Sequence, residues 1–269
     1  MICAFEGWND AGDASSYAAR YLAERWALRP FADIDPEDYF DFTTTRPQVR
    51  LEDGHQREIV WPANELAAGG VPGTDRDVVI LTGTEPQLRW RTFCDQITEV
   101  ATTLEVDLVI TLGALLAEVP HSRPVSVIGT AVDQDLIDRL GLTRSTYEGP
   151  TGIVGVLQDA CARAELSAAS LWAAVPTYVP GAPSPKAALA LVQRTCALLD
   201  ASVVATDLEI ATAAYERQID ELVDEDEETA DYVTSLEARF DDGQIDDELT
   251  DVSSLVEEVE RFLRSSGDS

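Results

Sequence analysis

Short apolar runs alternate along this chain with longer stretches in which apolar residues return every three or four positions. Ile2 to Phe5 is the first run, and Ser15 to Trp26 the first helical stretch, with Tyr17, Ala18, Tyr21, Leu22 and Trp26 on one side. Asp77 to Thr82 reads as a buried parallel strand, followed by a loop, Gly83-Thr84-Glu85-Pro86, and a helix from about Leu88 to Leu104. Val106 to Leu112 is a strand that leaves through a small-residue loop, Gly113 to Pro120; Val125 to Thr130 is another, and Asp133 to Leu140 a short helix. Glu148 to Gly155 opens a helix running to about Leu166, Leu171 to Val175 is the last clear strand, and Lys186 to Leu199 the helix after it. Strands alternating with helices predict βαβ units around a mostly parallel sheet. The first strand is short for a central one, which points to a start upstream of Met1.

Two regions break this rhythm. Between Pro30 and Pro72 lie short extended pieces, among them Val49 to Leu51 and Arg57 to Trp61 around Glu52-Asp53-Gly54-His55; Asp-Gly supplies the positive φ of a tight turn, so a hairpin is expected. Beyond Thr206 no strand pattern remains. Narrow apolar stripes (Leu208, Ala211, Tyr215, Ile219, Leu222; then Tyr232, Val233, Leu236, Phe240; then Val252, Leu255, Val256, Val259, Phe262, Leu263) run along helices crowded with carboxylates, and each stripe needs a surface to cover it. The acidic segments Asp224 to Glu228 and Asp241 to Asp251 read as the turns between them. The division predicted is an α/β core, residues 1–200, and an acidic helical extension, residues 201–269.

Charge sharpens that division. The net charge is -31, from 50 acidic and 19 basic residues. From Asp200 onward 23 acidic residues face four arginines, a net of -19; the first 199 residues hold 27 against 15, a net of -12. Nucleic acid and anionic membranes are poor partners for such a surface. Lys186 stands alone beside eighteen arginines, a bias of GC-rich coding that suggests an actinobacterial source. No apolar run reaches the roughly 20 residues of a membrane span and no basic leader precedes an apolar segment, so a cytoplasmic protein is expected. Cys3, Cys94, Cys161 and Cys196 form no CxxC pair and read as buried free thiols.

Candidate chemistry gathers in the loops that follow strands. The first, Glu6-Gly7-Trp8-Asn9-Asp10-Ala11-Gly12-Asp13, leads into a helix N-terminus, where unpaired N–H groups hold anions in open α/β sheets; yet Glu6, Asp10 and Asp13 would repel a phosphate. Asp13 is placed to favour the positive end of that helix. Gly149-Pro150-Thr151-Gly152-Ile153-Val154-Gly155 is glycine-rich at a helix start but is neither a Walker loop nor a dinucleotide fingerprint. His55 and His121 are the two histidines, and His121 is expected in solvent; Asn9, Asp10 and Asp13 could surround Mg²⁺, although capping is the commoner use of such residues, and no metal or other cofactor is expected. No GxSxG elbow is present, and Glu6, Asp10 and Glu148 are the acid–base candidates in a chain where carboxylate pairs arise by chance. No catalytic residue is assigned. The candidate pocket is lined by Glu6, Trp8, Asn9, Asp10, Gly12, Asp13, Gly113, Glu118, Glu148, Gly149, Thr151, Gly152 and Tyr178, whose loops would converge at one sheet edge.

Three of these segments carry a family resemblance. Glu6-Gly-Trp-Asn-Asp-Ala-Gly12, Glu148-Gly-Pro-Thr-Gly152 and Tyr178-Val-Pro180 resemble the proteasome assembly chaperone (PAC2) family in its actinobacterial branch, over about Ile2 to Leu199. The resemblance implies a three-layer α/β fold like that of purine nucleoside phosphorylases, without implying their activity, and a tendency to form homo-oligomers, trimers favoured. Eukaryotic and archaeal relatives contact proteasome subunits through a C-terminal hydrophobic-Tyr-X tail, whereas this chain ends Ser265-Ser-Gly-Asp-Ser269. Two readings follow: a non-enzymatic, self-associating assembly protein with a possible protein partner, or a binder or enzyme of nucleoside or phosphate-type small molecules working at the pocket.

Overall fold

A computed structural model describes residues 1–52, 56–245 and 249. In chain order the elements are β1 (Ile2–Glu6), α1 (Ala14–Arg25), β2 (Arg29–Ile34), β3 (Gln48–Glu52), β4 (Gln56–Val60), β5 (Asn64–Gly70), β6 (Asp77–Thr84), α2 (Trp90–Thr103), β7 (Val109–Ala117), β8 (Val127–Ala131), α3 (Gln134–Leu140), α4 (Ile153–Arg163), β9 (Ala168–Pro176), α5 (Pro185–Leu198), α6 (Thr206–Asp224) and α7 (Glu227–Asp241). Seven strands form one sheet in the order β2-β5-β6-β1-β7-β9-β8, while β3 and β4 form a separate ribbon.

The sheet is parallel at its centre, β6-β1-β7-β9, and antiparallel on both flanks. The mostly parallel sheet expected from the alternation of strands and helices is thus parallel in its four central strands and mixed as a whole. A parallel crossover needs a dozen or more residues; Val71 to Arg76, between β5 and β6, is far too short for one, so the chain turns straight back.

Helices cover both faces. Alternate residues of the central strands, Ile2, Ile80, Ile110, Leu112 and Leu171, pack with α1, α3 and α5. The intervening ones, Cys3, Phe5, Leu81 and Val109, pack with α2 and α4, where Phe93 meets Phe5 and Tyr39 edge to face at ring distances of 5.9 and 5.2 Å. All four cysteines are free and buried, as expected. No described helix is long and apolar enough to cross a membrane.

Two loop assignments change. Gly113 to Ala117 is strand: β7 runs on to Ala117, and Gly113 is small because Trp172 lies over it, so a Cβ there would stand 2.5 Å from the indole ring. The Gly-Ala pair looked like a loop signal but marks close cross-strand packing. The piece Asn64 to Gly70, read only as one of several extended segments, is an internal strand of the sheet. The hairpin forms with Val49 opposite Ile59 and Leu51 opposite Arg57, its turn lying outside the described residues, as does His55. The turn expected within Asp224 to Glu228 separates α6 from α7; the third apolar stripe lies outside the described residues.

Candidate functional site

The carboxyl ends of β1, β6, β7 and β9 bring the first loop, the start of α4 and the turn after β9 into one neighbourhood. Glu85, one residue beyond β6, joins two of these. Its Oε1 accepts from the Asn9 side-chain amide at 3.1 Å and from the Ile153 N–H at 2.8 Å, and its Oε2 from the Trp8 N–H at 3.3 Å. A carboxylate at the first turn of α4 satisfies an N–H that the helix cannot and complements its dipole. The fit is tight, since a Cβ on Gly152 would lie 2.1 Å from the Asn9 amide nitrogen and 2.7 Å from Glu85 Oε1.

Asp10 treats α1 in the same way. It is 6% exposed, and its Oδ1 accepts from the Ser15 N–H at 2.7 Å, the Ser15 hydroxyl at 2.6 Å and the Ser16 N–H at 3.1 Å. Asp13, expected to favour this end of α1, is exposed, has φ of 51°, and makes no capping bond; the chain folds back by one turn, so the earlier carboxylate reaches the helix. Gly12, with φ of 59°, accepts from the Ser184 N–H at 2.8 Å through its carbonyl, and Ser184 Oγ accepts from Ala187 N–H at the start of α5 at 3.3 Å. The N-termini of α1, α4 and α5 are thus met by the chain's own side chains, whereas α2, which follows β6 at the same edge, has no side-chain cap.

The remaining candidates divide. Glu6 pairs with Arg20 on the surface, and Trp8 is 42% exposed. Glu148, Gly149 and Thr151 stand in an exposed loop braced by the Tyr147 hydroxyl, which donates to the Pro150 carbonyl at 2.6 Å. Gly113 lies within β7 beneath Trp172. Glu118 pairs with Arg239 of α7 at 3.1 Å. Among the described residues no group of three or more His, Cys, Asp or Glu side chains is placed to hold a metal ion.

Tyr178 belongs to a different assembly, together with a histidine that overturns its expected exposure. His121 is 3% exposed; its Nε2 bonds Asp220 of α6 at 2.9 Å, its Nδ1 the Tyr178 hydroxyl at 2.7 Å, and its backbone N–H donates to the same hydroxyl at 2.7 Å. Burial holds the Tyr178 phenol above its ordinary range. Lys186 bonds the His121 carbonyl and Glu216 of α6. Arg123 takes Asp241 of α7 in a two-bond fork, both at 2.8 Å, and Glu237 at 3.2 Å. Asp207 at the start of α6 receives the Tyr21 hydroxyl at 2.7 Å and Arg25. Beneath these pairs, Tyr215, Ile219, Val223 and Val233 pack with Tyr178 and Val179. A cavity of about 10 Å³ remains beside His121, Ser184, Lys186 and Tyr215, room on the order of one water. A larger groove, about 710 Å³, lies at the opposite end of the sheet around Met1, Phe31, Val71 and Leu104, away from every candidate.

Comparison with known proteins places this geometry. The PAC2 family model matches residues 4–223, from β1 to the last turn of α6. The chain belongs to the PAC2 family. A PAC2 family protein of Streptomyces avermitilis is 47% identical, with a TM-score of 0.82, over 87% of this chain and 98% of that one. A proteasome-assembly chaperone homologue of Mycobacterium tuberculosis is 49% identical, with a TM-score of 0.79, over 86% of this chain and 98% of that one. PbaA of Pyrococcus furiosus, an archaeal homologue of proteasome-assembly chaperone, shares the fold at 17% identity and a TM-score of 0.59, over 83% and 91% of the two chains. No curated protein sequence matches the chain. Membership agrees with the resemblance carried by the three loop segments, and the match passes beyond Leu199 into α6.

Glu85, Ser184, His121 and Lys186 were not among the residues the sequence singled out for the site. A lone carboxylate after a strand carries no distinctive pattern in a chain of 50 acidic residues. The signal available for Glu85 was its place after β6, the direct parallel neighbour of β1.

Proposed function

We propose that this PAC2-family protein is a non-enzymatic, assembly-chaperone-like protein that self-associates, handles other protein subunits and works in the cytoplasm. It would do so on a purine nucleoside phosphorylase-like scaffold, residues 1–200, with an acidic helical extension over residues 201–269. Family membership supports protein–protein interaction as the activity. The observation that carries the non-enzymatic part is Glu85: its carboxylate already occupies the N–H of α4 and the Asn9 amide, where a phosphate-type ligand would bind. Asp10 and Ser184 do the same for α1 and α5.

The alternative, a nucleoside or phosphate-type ligand at a pocket lined by the thirteen residues from Glu6 to Tyr178, draws on one observation. Asp10 Oδ2 is buried and accepts no hydrogen bond. Thermal unfolding with inorganic phosphate, nucleosides and nucleotides, alongside light scattering of the full chain, separates the readings. The proposal expects an assembly larger than one chain and no shift with any ligand. A monomer at tens of micromolar, or a ligand-induced rise in melting temperature that disappears in Asp10→Asn, would contradict it.

A further inference from the structure

We propose that the groove at the amino ends of β1, β6 and β7 binds a basic peptide segment of a partner protein, one that carries lysine or arginine on either side of an apolar residue. The inference rests on the protein-handling part of the reading above and names a place for it. The groove encloses about 710 Å³, a size at which ligands are held. Ile2, Val71, Val78 and Ile110, all buried, form its floor. Phe31 and Leu104 stand at its rim, about half-exposed, so apolar surface continues from the floor to the solvent.

Charge selects the occupant. Asp75, Asp77, Glu105 and Asp107, all exposed, border the groove; against them stand Arg76 and the Met1 ammonium, which donates to the Leu108 carbonyl at 2.7 Å. Among the described residues none of the four carboxylates forms an ion pair with a side chain. Two helices add to the same field. α2 and α5 end here, with Leu104 and Leu199 on the groove wall. The carboxyl end of a helix carries partial negative charge, which a basic residue in the last turn offsets. Of the helices α1 to α5, α1, α3 and α4 have an arginine there; α2 and α5 have none, and are followed by Glu105 and Asp200. A polyamine would answer this charge and leave the apolar floor uncovered. A neutral apolar ligand would cover the floor and leave the carboxylates and helix ends unanswered. A second copy brings a net charge of -31 to a rim that is itself negative, and an anionic partner is repelled. A peptide segment with both kinds of side chain satisfies floor and rim together.

The test is fluorescence anisotropy of the full chain with a labelled peptide of alternating lysine and leucine. The wild type should bind it about tenfold more tightly than a peptide with serine in place of leucine, and should not bind one with glutamate in place of lysine. Asp75→Lys with Glu105→Lys should weaken binding about tenfold. Glu221→Lys with Glu225→Lys, the same change of charge placed on α6, should alter it less than about twofold, because exposed charges at a distance are screened. A wild type that does not bind overturns the proposal. So do equal losses in the two double variants, or equal binding of the lysine–serine peptide, either of which assigns the binding to diffuse charge. Displacement by spermine as effective as that by unlabelled peptide also overturns it, making the groove a site for small cations. Should the Asp75, Glu105 variant fail to fold, hydrogen–deuterium exchange of the wild type decides the matter: the peptide should slow exchange at residues 71–79 and 104–110, and protection confined to α6 and α7 overturns the groove. Self-association is judged separately by light scattering. A monomer that binds the peptide contradicts the reading above and leaves this inference standing, whereas an assembly that binds none does the reverse.

Discussion

The α6–α7 pair and the β3–β4 ribbon are both additions to the central sheet, and they solve the problem of an apolar stripe in opposite ways. On the helices the stripe is turned inward, with Leu208 and Leu236 1% and 0% exposed and Val223 buried where Leu222 was expected, and Lys186, Arg123 and Arg25 of the core hold Glu216, Asp241 and Asp207 at its margins. On the ribbon the apolar face stays outside. High charge thus marks the part whose apolar stripe is covered within the chain, and near-neutrality the part whose apolar residues stay exposed. Acidity alone says little about where such a protein makes contacts.

The largest effect expected of a single substitution separates the two regions. Leu236→Ala should cost about 2–5 kcal/mol through lost burial and a cavity, with a visible fall in melting temperature. Ile59→Ala should change the stability of dilute protein by no more than about 0.5 kcal/mol, as surface substitutions do. Equal losses at both positions, measured by thermal unfolding, would break the comparison.

Lys186→Met comes next. The side chain is 12% exposed, and its ammonium holds both the His121 carbonyl and Glu216, which would lose its partner. A loss of about 1–3 kcal/mol is expected, with α6 exchanging its amide hydrogens faster than the sheet does.

Acid should have the smallest effect, confined to the helical pair. The Tyr21 hydroxyl holds Asp207 below its ordinary 3.8, and the Arg123 guanidinium does so for Asp241. A carboxyl whose folded value is depressed adds stability that is fully present well above 3.8 and is lost as pH falls through the folded value. Both groups are exposed and screened, so the loss is small. Circular dichroism between pH 6 and pH 2 should show the helices loosening only below about pH 4; loosening already advanced at pH 5 would contradict this account.

The architecture was largely legible because periodicity reports burial. Ile2 to Phe5, Asp77 to Thr82 and Leu171 to Val175 could be read as strands from their apolar runs alone, and the stripe of Tyr215 and Ile219 as a helix face. What escaped depended on neighbours distant in sequence. Gly113 is small because of Trp172, and His121 is buried because α6 lies over it. Nor could spacing tell that Glu85, and not a ligand, meets the N-terminus of α4. Asn9 and Gly152 lie together beside Glu85, whereas Glu118 and Tyr178 turn toward the helical pair, which covers that end of β7 and β9.

Hydrogen–deuterium exchange of the full chain at about 0.5 and 50 micromolar tests the central claim most directly. The account predicts that in dilute protein the amides of β3 and β4 exchange quickly and those of α6 and α7 slowly, and that self-association adds protection at the higher concentration without altering α6 and α7 relative to the sheet. Exchange in α6 and α7 as fast as in β3 and β4, or exchange that nowhere depends on concentration, would contradict it.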